Sequence, residues 1–367
     1  MRAVGLLLAT AVLVAGCSSG GSGGSGPADG VNSPGEAPGN PPIAAGPAEP
    51  GMAPPPAMTP IGRVIRVGNN PEAVTIGTSG TAAVGLKDPD GIALVDLDAA
   101  SVRKVVPTDG GAPRHLDLTG PDGPALAPLE QTNTVLSVSL TDGAILTTVP
   151  GVGRNPHNAV QTADGTIVVT NELGGGVLFI REGKVVSTLP AGPPQPGGLA
   201  AVGNYGVVSD VRGQGLWVYD ASTRTQVAQA PVGQQLTHTI ALAPEGAPAG
   251  IGAAAGIVAT ADTMGGAVYL ERITPQIQQV ARIDAQGRPY GMAYDAAHRL
   301  LYVTRTASNL LRVIDVADPA QPKVLNDLPT VRQPNSVGID PRTGMVVVAG
   351  NADGNLQLIP LAETTRR

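Results

Sequence analysis

The chain has 367 residues, including 50 glycines and 35 prolines, and only 14% of its residues are charged and 2% aromatic. Glycine and proline at this frequency interrupt long helices, which excludes a helical bundle, a coiled coil or an α-solenoid. A hydrophobic share of 42% is enough for a core and excludes wholesale disorder, while the net charge of −6, spread without runs, provides no basic surface for nucleic acid.

The amino terminus contains a basic residue, an apolar run and a cysteine in close succession. Arg2 precedes an apolar run over residues 3–15, which is too short to span a bilayer as a helix. The segment Val14-Ala15-Gly16-Cys17 resembles the lipobox, which implies cleavage before Cys17 and acyl chains, such as palmitate, carried on its sulfur. We therefore expect a signal peptide over residues 1–16 and a lipid anchor on the extracytoplasmic face of the cell membrane. The alternatives are an ordinary secretory signal with an incidental cysteine, or an uncleaved anchor.

Residues 17–60 have the composition of a disordered tether that begins at the lipidated cysteine. Ten glycines and eleven prolines lie among the 43 residues of 18–60, without an apolar period. Residues 18–26 are predicted to be a flexible coil, and residues 41–60 to stiffen toward polyproline II. The folded domain is predicted to cover residues 61–367.

Short antiparallel strands in a repeating unit are predicted from residue 61 onward. Runs of Val, Ile, Leu and Thr alternate with Asp-Gly, Gly-Gly and Pro-containing turns, and no helical period is present. Each unit contains a leading loop, an apolar strand, a second strand and a third strand, and the longest interval between units includes an insertion around residues 245–256. The units begin at Pro71, Pro113, Pro156, Pro196, Thr237, Pro289 and Pro334.

Ring closure follows from counting strands. Six units have a fourth strand, whereas the seventh ends with the chain, and an unpaired strand at residues 62–67 precedes the first unit. Pairing that strand with the last unit removes the open edges. The sequence therefore predicts an all-β, seven-bladed β-propeller of four-stranded antiparallel blades, closed by an N-terminal strand.

Two segments resemble a known family. Val168-Val169-Thr170-Asn171 and Tyr302-Val303-Thr304-Arg305 look like the Tyr-Val-Thr-Asn repeat of the YVTN or lactonase-like β-propeller family. The resemblance covers about residues 61–360, and with the lipobox and tether it extends to propeller lipoproteins of mycobacterial type. It implies the propeller fold, and related propellers include both binding proteins and hydrolases.

Functional side chains are expected at one end of the central channel. In a propeller, the loops leading into the innermost strands and the hairpins between the second and third strands open on the same face. The candidate ligand-binding residues at these positions are Arg114, His115, Glu130, Arg154, His157, Glu172, Asp210, His238, Asp262, Arg288, Arg305 and Arg332.

Each residue type in this set allows two roles. His115, His157 and His238 are candidates to hold a divalent metal that activates water, or they bond backbone groups in their loops, which is the role we favour. The carboxylates are candidate metal ligands or a general base, or they close hairpins, the role favoured for Asp210. The arginines either collect an anion or pair with those carboxylates, and mixed charge signs favour pairing.

The hypothesis that the sequence supports best is an extracytoplasmic module that binds a small molecule, glycan or envelope protein through one face of the ring, without catalysis. Gly-x-Ser-x-Gly, His-Glu-x-x-His, Cys-x-x-Cys and Walker motifs are absent from the sequence. One alternative is a metal-dependent, lactonase-like hydrolase that uses the three histidines. Another is an interaction scaffold of the cell envelope. The expected partners are the bilayer, through Cys17, and the unidentified ligand, with no nucleic acid and no cofactor beyond a possible divalent metal.

Overall fold

The computed structural model describes residues 49–213, 215–242 and 256–366. The predicted signal peptide, Cys17, most of the tether and most of the insertion around residues 245–256 lie outside the described residues. The described residues form seven four-stranded antiparallel sheets, which confirms the predicted propeller. None of the helices in these ranges is long and apolar enough to cross a membrane.

Each of the first four blades is a consecutive run of four strands. Blade one contains β2 (Val74–Ile76), β3 (Thr81–Leu86), β4 (Gly91–Asp96) and β5 (Ser101–Pro107). Blade two contains β6 (Asp117–Leu118), β7 (Ala125–Leu129), β8 (Thr134–Val138) and β9 (Ile145–Pro150). Blade three contains β10 (Pro156–Gln161), β11 (Ile167–Asn171), β12 (Val177–Arg181) and β13 (Lys184–Leu189). Blade four contains β14 (Pro196–Val202), β15 (Tyr205–Asp210), β16 (Gly215–Asp220) and β17 (Thr225–Ala230).

The remaining blades include the closing one. Blade five contains β18 (Leu236–Ala241), β19 (Ile257–Asp262), β20 (Ala267–Ile273) and β21 (Ile277–Asp284). Blade six contains β22 (Pro289–Asp295), β23 (Leu300–Arg305), β24 (Leu310–Asp315) and β25 (Lys323–Pro329). Blade seven contains β26 (Pro334–Ile339), β27 (Val346–Gly350), β28 (Asn355–Ile359) and, as its outermost strand, β1 (Arg63–Arg66). The short helices are two 3-10 turns (Thr306–Ser308 and Asn351–Asp353) and α1 (Leu361–Thr364).

The N-terminal strand closes the ring as predicted. β1 pairs antiparallel with β28, with Arg63 opposite Leu358 and Arg66 opposite Asn355. This pairing joins the two ends of the described chain in one sheet and covers the edge of β28 that would otherwise be open.

The core lies between neighbouring blades rather than in the channel. The middle strands are buried on both faces because each blade packs against two others, as in β3 (Thr81–Leu86) and β16 (Gly215–Asp220). The outermost strands are mostly exposed or half-buried, as in β9 (Ile145–Pro150) and β13 (Lys184–Leu189), because one face meets solvent. Burial is therefore greatest in the middle strands of a blade and lowest in its outermost strand.

Residues 49–60 differ from the predicted disordered tether. Pro50, Gly51 and Ala53 are buried, and two backbone carbonyls of this segment accept hydrogen bonds from side chains of the propeller. A proline-rich chain leaves its carbonyls without internal partners, so they accept bonds from a neighbouring surface. Contacts with the ring are therefore made before residue 61, the predicted start of the folded domain.

Candidate functional site

The innermost strands surround a central channel with a cavity of about 660 Å³. Its lining includes residues from every blade, and most of them are small or aliphatic. Arg114, His115 and His238 line it where the leading loops meet the innermost strands, an end that we call the mouth. Asp117 lies further along the channel, and burial raises the pKa of its carboxyl to about 7. The arginine and histidine side chains that line the channel are therefore grouped at the mouth.

A β-bulge at the start of several innermost strands sets the direction of the mouth side chains. In blade three, His157 and Asn158 together lie opposite the single residue Thr170, because Pro156 pairs with Asn171 and Ala159 pairs with Val169. The Thr170 hydroxyl accepts a hydrogen bond from the Asn158 N–H at 2.9 Å. The threonine of the repeat signature thus supports the bulge that presents His157.

Blade six repeats this arrangement. Pro289 pairs with Arg305 and Met292 pairs with Val303, which leaves Tyr290 and Gly291 opposite Thr304. The Thr304 hydroxyl accepts from the Gly291 N–H at 2.8 Å and donates to its carbonyl at 3.2 Å. The same local geometry therefore presents Tyr290, a residue that the candidate set did not include.

The three histidines predicted at the mouth meet there. The Nε2 atoms of His115 and His157 are 3.0 Å apart. The His115 and His238 ring centroids are 4.6 Å apart, and the Tyr290 ring follows at 4.3 Å from His238. Rings from blades two, three, five and six therefore form one continuous row.

Two buried carboxylates flank His157. Its Nδ1 is 2.7 Å from Glu130 Oε1 and 3.5 Å from Glu172 Oε2. Glu172 also accepts hydrogen bonds from Asn155 Nδ2 at 2.9 Å and from Gln195 Nε2 at 3.1 Å. Because both glutamates directly follow the second strand of their blades, the hairpin position delivers both carboxylates to the same point.

The charge states of the histidines differ. Burial alone would lower the pKa of His157, but the Glu172 and Glu130 carboxylates raise it above its ordinary value. Burial, with the positive charges of His157 and Arg114 nearby, lowers the pKa of His238 to about 3 and that of His115 well below its ordinary value. The favoured state is thus a protonated His157 that donates to Glu130 and to the neutral ring of His115.

Arg114 is the second cation of the mouth. Its side chain is 9% exposed, and its guanidinium contacts Glu72 at 2.9 Å and the two oxygens of Glu49 at 3.0 and 3.1 Å. Its Nε is buried without a hydrogen-bond partner among the described residues. His238 Nδ1 and the Oδ1 and Nδ2 atoms of Asn335 are likewise buried without a hydrogen-bond partner among the described residues. Buried polar atoms without partners are costly, so a ligand that pairs with them gains affinity.

Asp210 and Asp262 do not join the cluster. The Asp210 carboxylate accepts the Gln195 and Arg212 N–H groups, and the Asp262 carboxylate accepts three backbone N–H groups around its hairpin. Both are the last residues of their second strands, one position before that of Glu130 and Glu172. This offset assigns Asp210 to hairpin closure, the role favoured for it from the sequence, and gives Asp262 the same role.

The other arginines do not gather at one point. Arg154 and Arg288 are exposed. Arg305 pairs with Asp327 at 2.7 Å, and Arg332 lies 4.0 Å from Asp353. Arginine pairing therefore occurs, and the partners of Arg305 and Arg332 are Asp327 and Asp353, which are not in the candidate set.

A divalent cation fits one group of donors. One ligand atom from each of Glu130, His157 and Glu172 can be chosen so that the three atoms lie within 4.8 Å of one another. This set of two carboxylates and an imidazole suits hard or borderline divalent ions. His115 and His238 are not part of this group, so the donor set differs from the three histidines considered in the sequence analysis.

Besides Tyr290, the structure adds four residues to the mouth that the candidate set lacks. Glu72 and Asn335 follow the first residue of their units, the position of Arg114 and His157, and Asn158 occupies the next one. Aligning the repeats residue by residue would have identified these three. Glu49 lies in the predicted tether, and no sequence signal marks it.

Comparisons with known proteins support the fold. Neither the family models nor the curated proteins include a match to this chain. The chain is similar in structure to a chain of hydrazine synthase from Kuenenia stuttgartiensis, with a TM-score of 0.65, 17% identity and coverage of 80% of this chain and 96% of that one. For virginiamycin B lyase from Staphylococcus aureus the TM-score is 0.64, with 13% identity and coverage of 82% and 98%.

A third similar structure is the Cps50 (Swd1) beta-propeller domain of Myceliophteria thermophila, with a TM-score of 0.65, 12% identity and coverage of 81% of this chain and 97% of that one. These likenesses confirm a propeller fold. The YVTN resemblance itself rests on the sequence motifs alone.

Proposed function

We propose that this protein is a lipid-anchored, extracytoplasmic binding module whose channel mouth captures a small polar ligand without transforming it. The observation that carries the proposal is the convergence of Arg114, His157, His238 and Tyr290, from four blades, on one end of a closed ring. Such a convergence of polar groups beside a concave cavity is typical of small-molecule sites.

Several features of the mouth favour binding over catalysis. His157 is held between two carboxylates that raise its pKa, which favours the protonated form, and that form cannot accept a proton as a general base. His115 and His238 are neutral and half-buried, which suits them to donate to or accept from a ligand. Neutral ring nitrogens beside an arginine fork favour a ligand that offers both acceptors and donors.

A metal-dependent hydrolase is the second candidate, and the proximity of Glu130, His157 and Glu172 favours it. These residues would hold the ion, and the ion would supply a Lewis acid and an activated water. His157 would then have to be deprotonated, and the cation would balance the carboxylates in place of the imidazolium.

A melting experiment separates the two candidates. The anchor-free chain is heated with millimolar dicarboxylates, hydroxy acids, lactones or sugars, with and without chelator, and each compound is then analysed for conversion. We expect at least one compound to raise the melting temperature by several degrees, equally with chelator and without conversion. His238→Ala should abolish this shift, and His298→Ala, in the hairpin after β22, should retain it.

Two results would contradict the binding proposal. A melting temperature that falls on chelation, together with conversion of a lactone, would establish the hydrolase. If no compound shifts the melting temperature of the original chain or of Glu49→Gln, which lacks the Glu49 carboxylate at Arg114, the mouth is not a small-molecule site.

The anchor is tested on Cys17. Its sulfur is the only one that can form the thioether in this lipobox, because the chain has a single cysteine. Cys17→Ser should abolish incorporation of labelled palmitate and move the protein from the membrane fraction to the soluble extracytoplasmic fraction. Ser18→Ala is the matched control and should remain labelled. Labelling that persists in Cys17→Ser would refute the anchor.

A further inference from the structure

Residues 49–60, which we call the strap, contact loops of blades six and seven and reach the mouth at Glu49. Gly51 packs so closely on blade six that an added Cβ would be 2.6 Å from Arg288 Cδ and 3.1 Å from Ala307 Cβ. At its other end the strap continues into residue 61, whose N–H donates to the Pro329 carbonyl at 3.4 Å. The strap therefore runs from the rim of the ring to its centre.

Directed hydrogen bonds hold the middle of the strap. Arg332 Nε donates to the Ala53 carbonyl at 3.1 Å, and Asn309 Nδ2 donates to the Pro54 carbonyl at 2.9 Å. Prolines at positions 50, 54, 55 and 56 restrict the free chain, so less conformational entropy is lost when the strap docks. The strap is thus held by backbone hydrogen bonds and by small buried residues such as Ala53, whereas its large apolar side chains, Met52 and Met58, are exposed.

Within the strap, Glu49 contacts Arg114 at the mouth. The Glu49 carboxylate approaches Arg114 with both oxygens, one on each terminal nitrogen, which is the arrangement by which arginine recognises carboxylates. The Glu49 side chain is 67% exposed, whereas that of Arg114 is 9% exposed. A largely solvated carboxylate side chain is therefore paired with a largely buried arginine side chain.

We propose that Arg114 is the recognition residue for a carboxylate-bearing small molecule, and that Glu49 occupies this position as an intramolecular stand-in that the ligand displaces. This inference rests on the proposed binding function and specifies its ligand class and its regulation. The neighbouring His115, His238 and Tyr290 supply hydrogen-bonding groups for the rest of such a ligand.

The contacts of Glu49 suit a displaceable occupant. An ion pair with one solvated partner contributes little free energy, but attachment through the strap gives Glu49 a high effective concentration. Glu72 holds Arg114 from the other side at 2.9 Å, so the guanidinium keeps its position when Glu49 leaves. A free carboxylate that makes additional contacts in the channel can therefore replace it.

Calorimetric titration tests the proposal on the anchor-free full chain, with succinate, citrate and gluconate as probes and succinamide as the uncharged control. Occupation by Glu49 reduces the apparent affinity by the fraction of chains that are blocked. We expect Glu49→Gln to bind the best carboxylate about tenfold more tightly than the unchanged chain. Arg332→Ala, which loosens the strap without touching Arg114, should give a smaller gain in the same direction.

One further variant, a control ligand and an exchange measurement test the ligand class. Arg114→Lys keeps the charge but loses the fork, so it should weaken carboxylate binding in the Glu49→Gln background. Succinamide should bind none of these variants. Hydrogen exchange of the strap amides should rise when the carboxylate binds the unchanged chain, because docking of the strap and of the ligand exclude each other.

The contradicting outcomes are distinct. Equal carboxylate affinity with and without Glu49 would show that the strap is not a stand-in. Binding of a lactone or sugar through His238, with no carboxylate binding to Glu49→Gln, would overturn this inference and leave the binding function standing. No binding by any variant would overturn both.

Discussion

Deletion of residues 61–67 is expected to lower the free energy of unfolding by about 5 kcal/mol, a large part of the stability of an ordinary domain. Val67 is 5% exposed, and Ile65 packs against the cluster that contains Leu356 and Leu358. The deletion removes this apolar contact and the four residue pairs between β1 and β28. It also exposes the edge of β28, which promotes association between molecules. Urea unfolding measures the loss.

Two controls distinguish ring closure from a general effect of shortening the chain. Deletion of residues 18–48, which removes most of the predicted tether and no described contact, should leave the unfolding curve unchanged. Ile65→Asp should cost far more than Val64→Asp, because the neighbouring Val64 is 41% exposed and points to the other face. Equal losses from the two deletions would disprove a stabilising role for the N-terminal strand.

Substitution of His157 should produce the second large effect. His157→Ala leaves the Glu130 and Glu172 carboxylates, which are 4% and 0% exposed, without the cation between them. Removing one partner of a buried ionic cluster costs about 3–5 kcal/mol. His298→Ala is the matched control, since His298 also pairs with an aspartate at 2.8 Å but is 47% exposed, and it should cost about 1 kcal/mol or less.

The pH dependence of this difference identifies the charge state. The folded pKa of His157 is raised, so its contribution to stability is complete below its ordinary pKa and is lost as the pH rises through the folded value. The stability difference between the unchanged chain and His157→Ala should therefore shrink as the pH rises above neutrality. A difference that is constant or grows with pH would contradict a protonated His157, and it would favour a bound cation, which requires the neutral ring.

The mouth combines a cluster of three ionisable residues with an ion pair of different character. Glu130, His157 and Glu172 are deeply buried and hold the hairpins of blades two and three to the centre. Arg114 and Glu49 meet at the surface of the same site, where one partner is solvated. The first set positions the site, and the second controls access to it in the mechanism that we propose.

The sequence alone determined the architecture. Strand alternation, turn residues and the repeat interval are local properties, and each blade buries its middle strands against its neighbours in the same way. Counting fourth strands predicted the closing strand, which the pairing of Arg63 with Leu358 confirms. The repeat also fixes the loop and hairpin positions. The sequence therefore predicted that one face of the ring holds His115, His157, His238, Glu130 and Glu172, which the structure brings together.

Only the tertiary structure decided which of those residues meet. Asp210 and Glu172 both belong to hairpins, but an offset of one position turns Asp210 toward backbone amides and Glu172 toward His157. Separate backbone-bonding roles were favoured for the histidines, yet the closed ring brings their rings into contact. No sequence pattern marked Glu49 as a site residue. Its position depends on strap carbonyls that accept hydrogen bonds from side chains more than 250 residues away along the chain. Long-range convergence of this kind is a property of the closed ring and is not encoded in any single repeat.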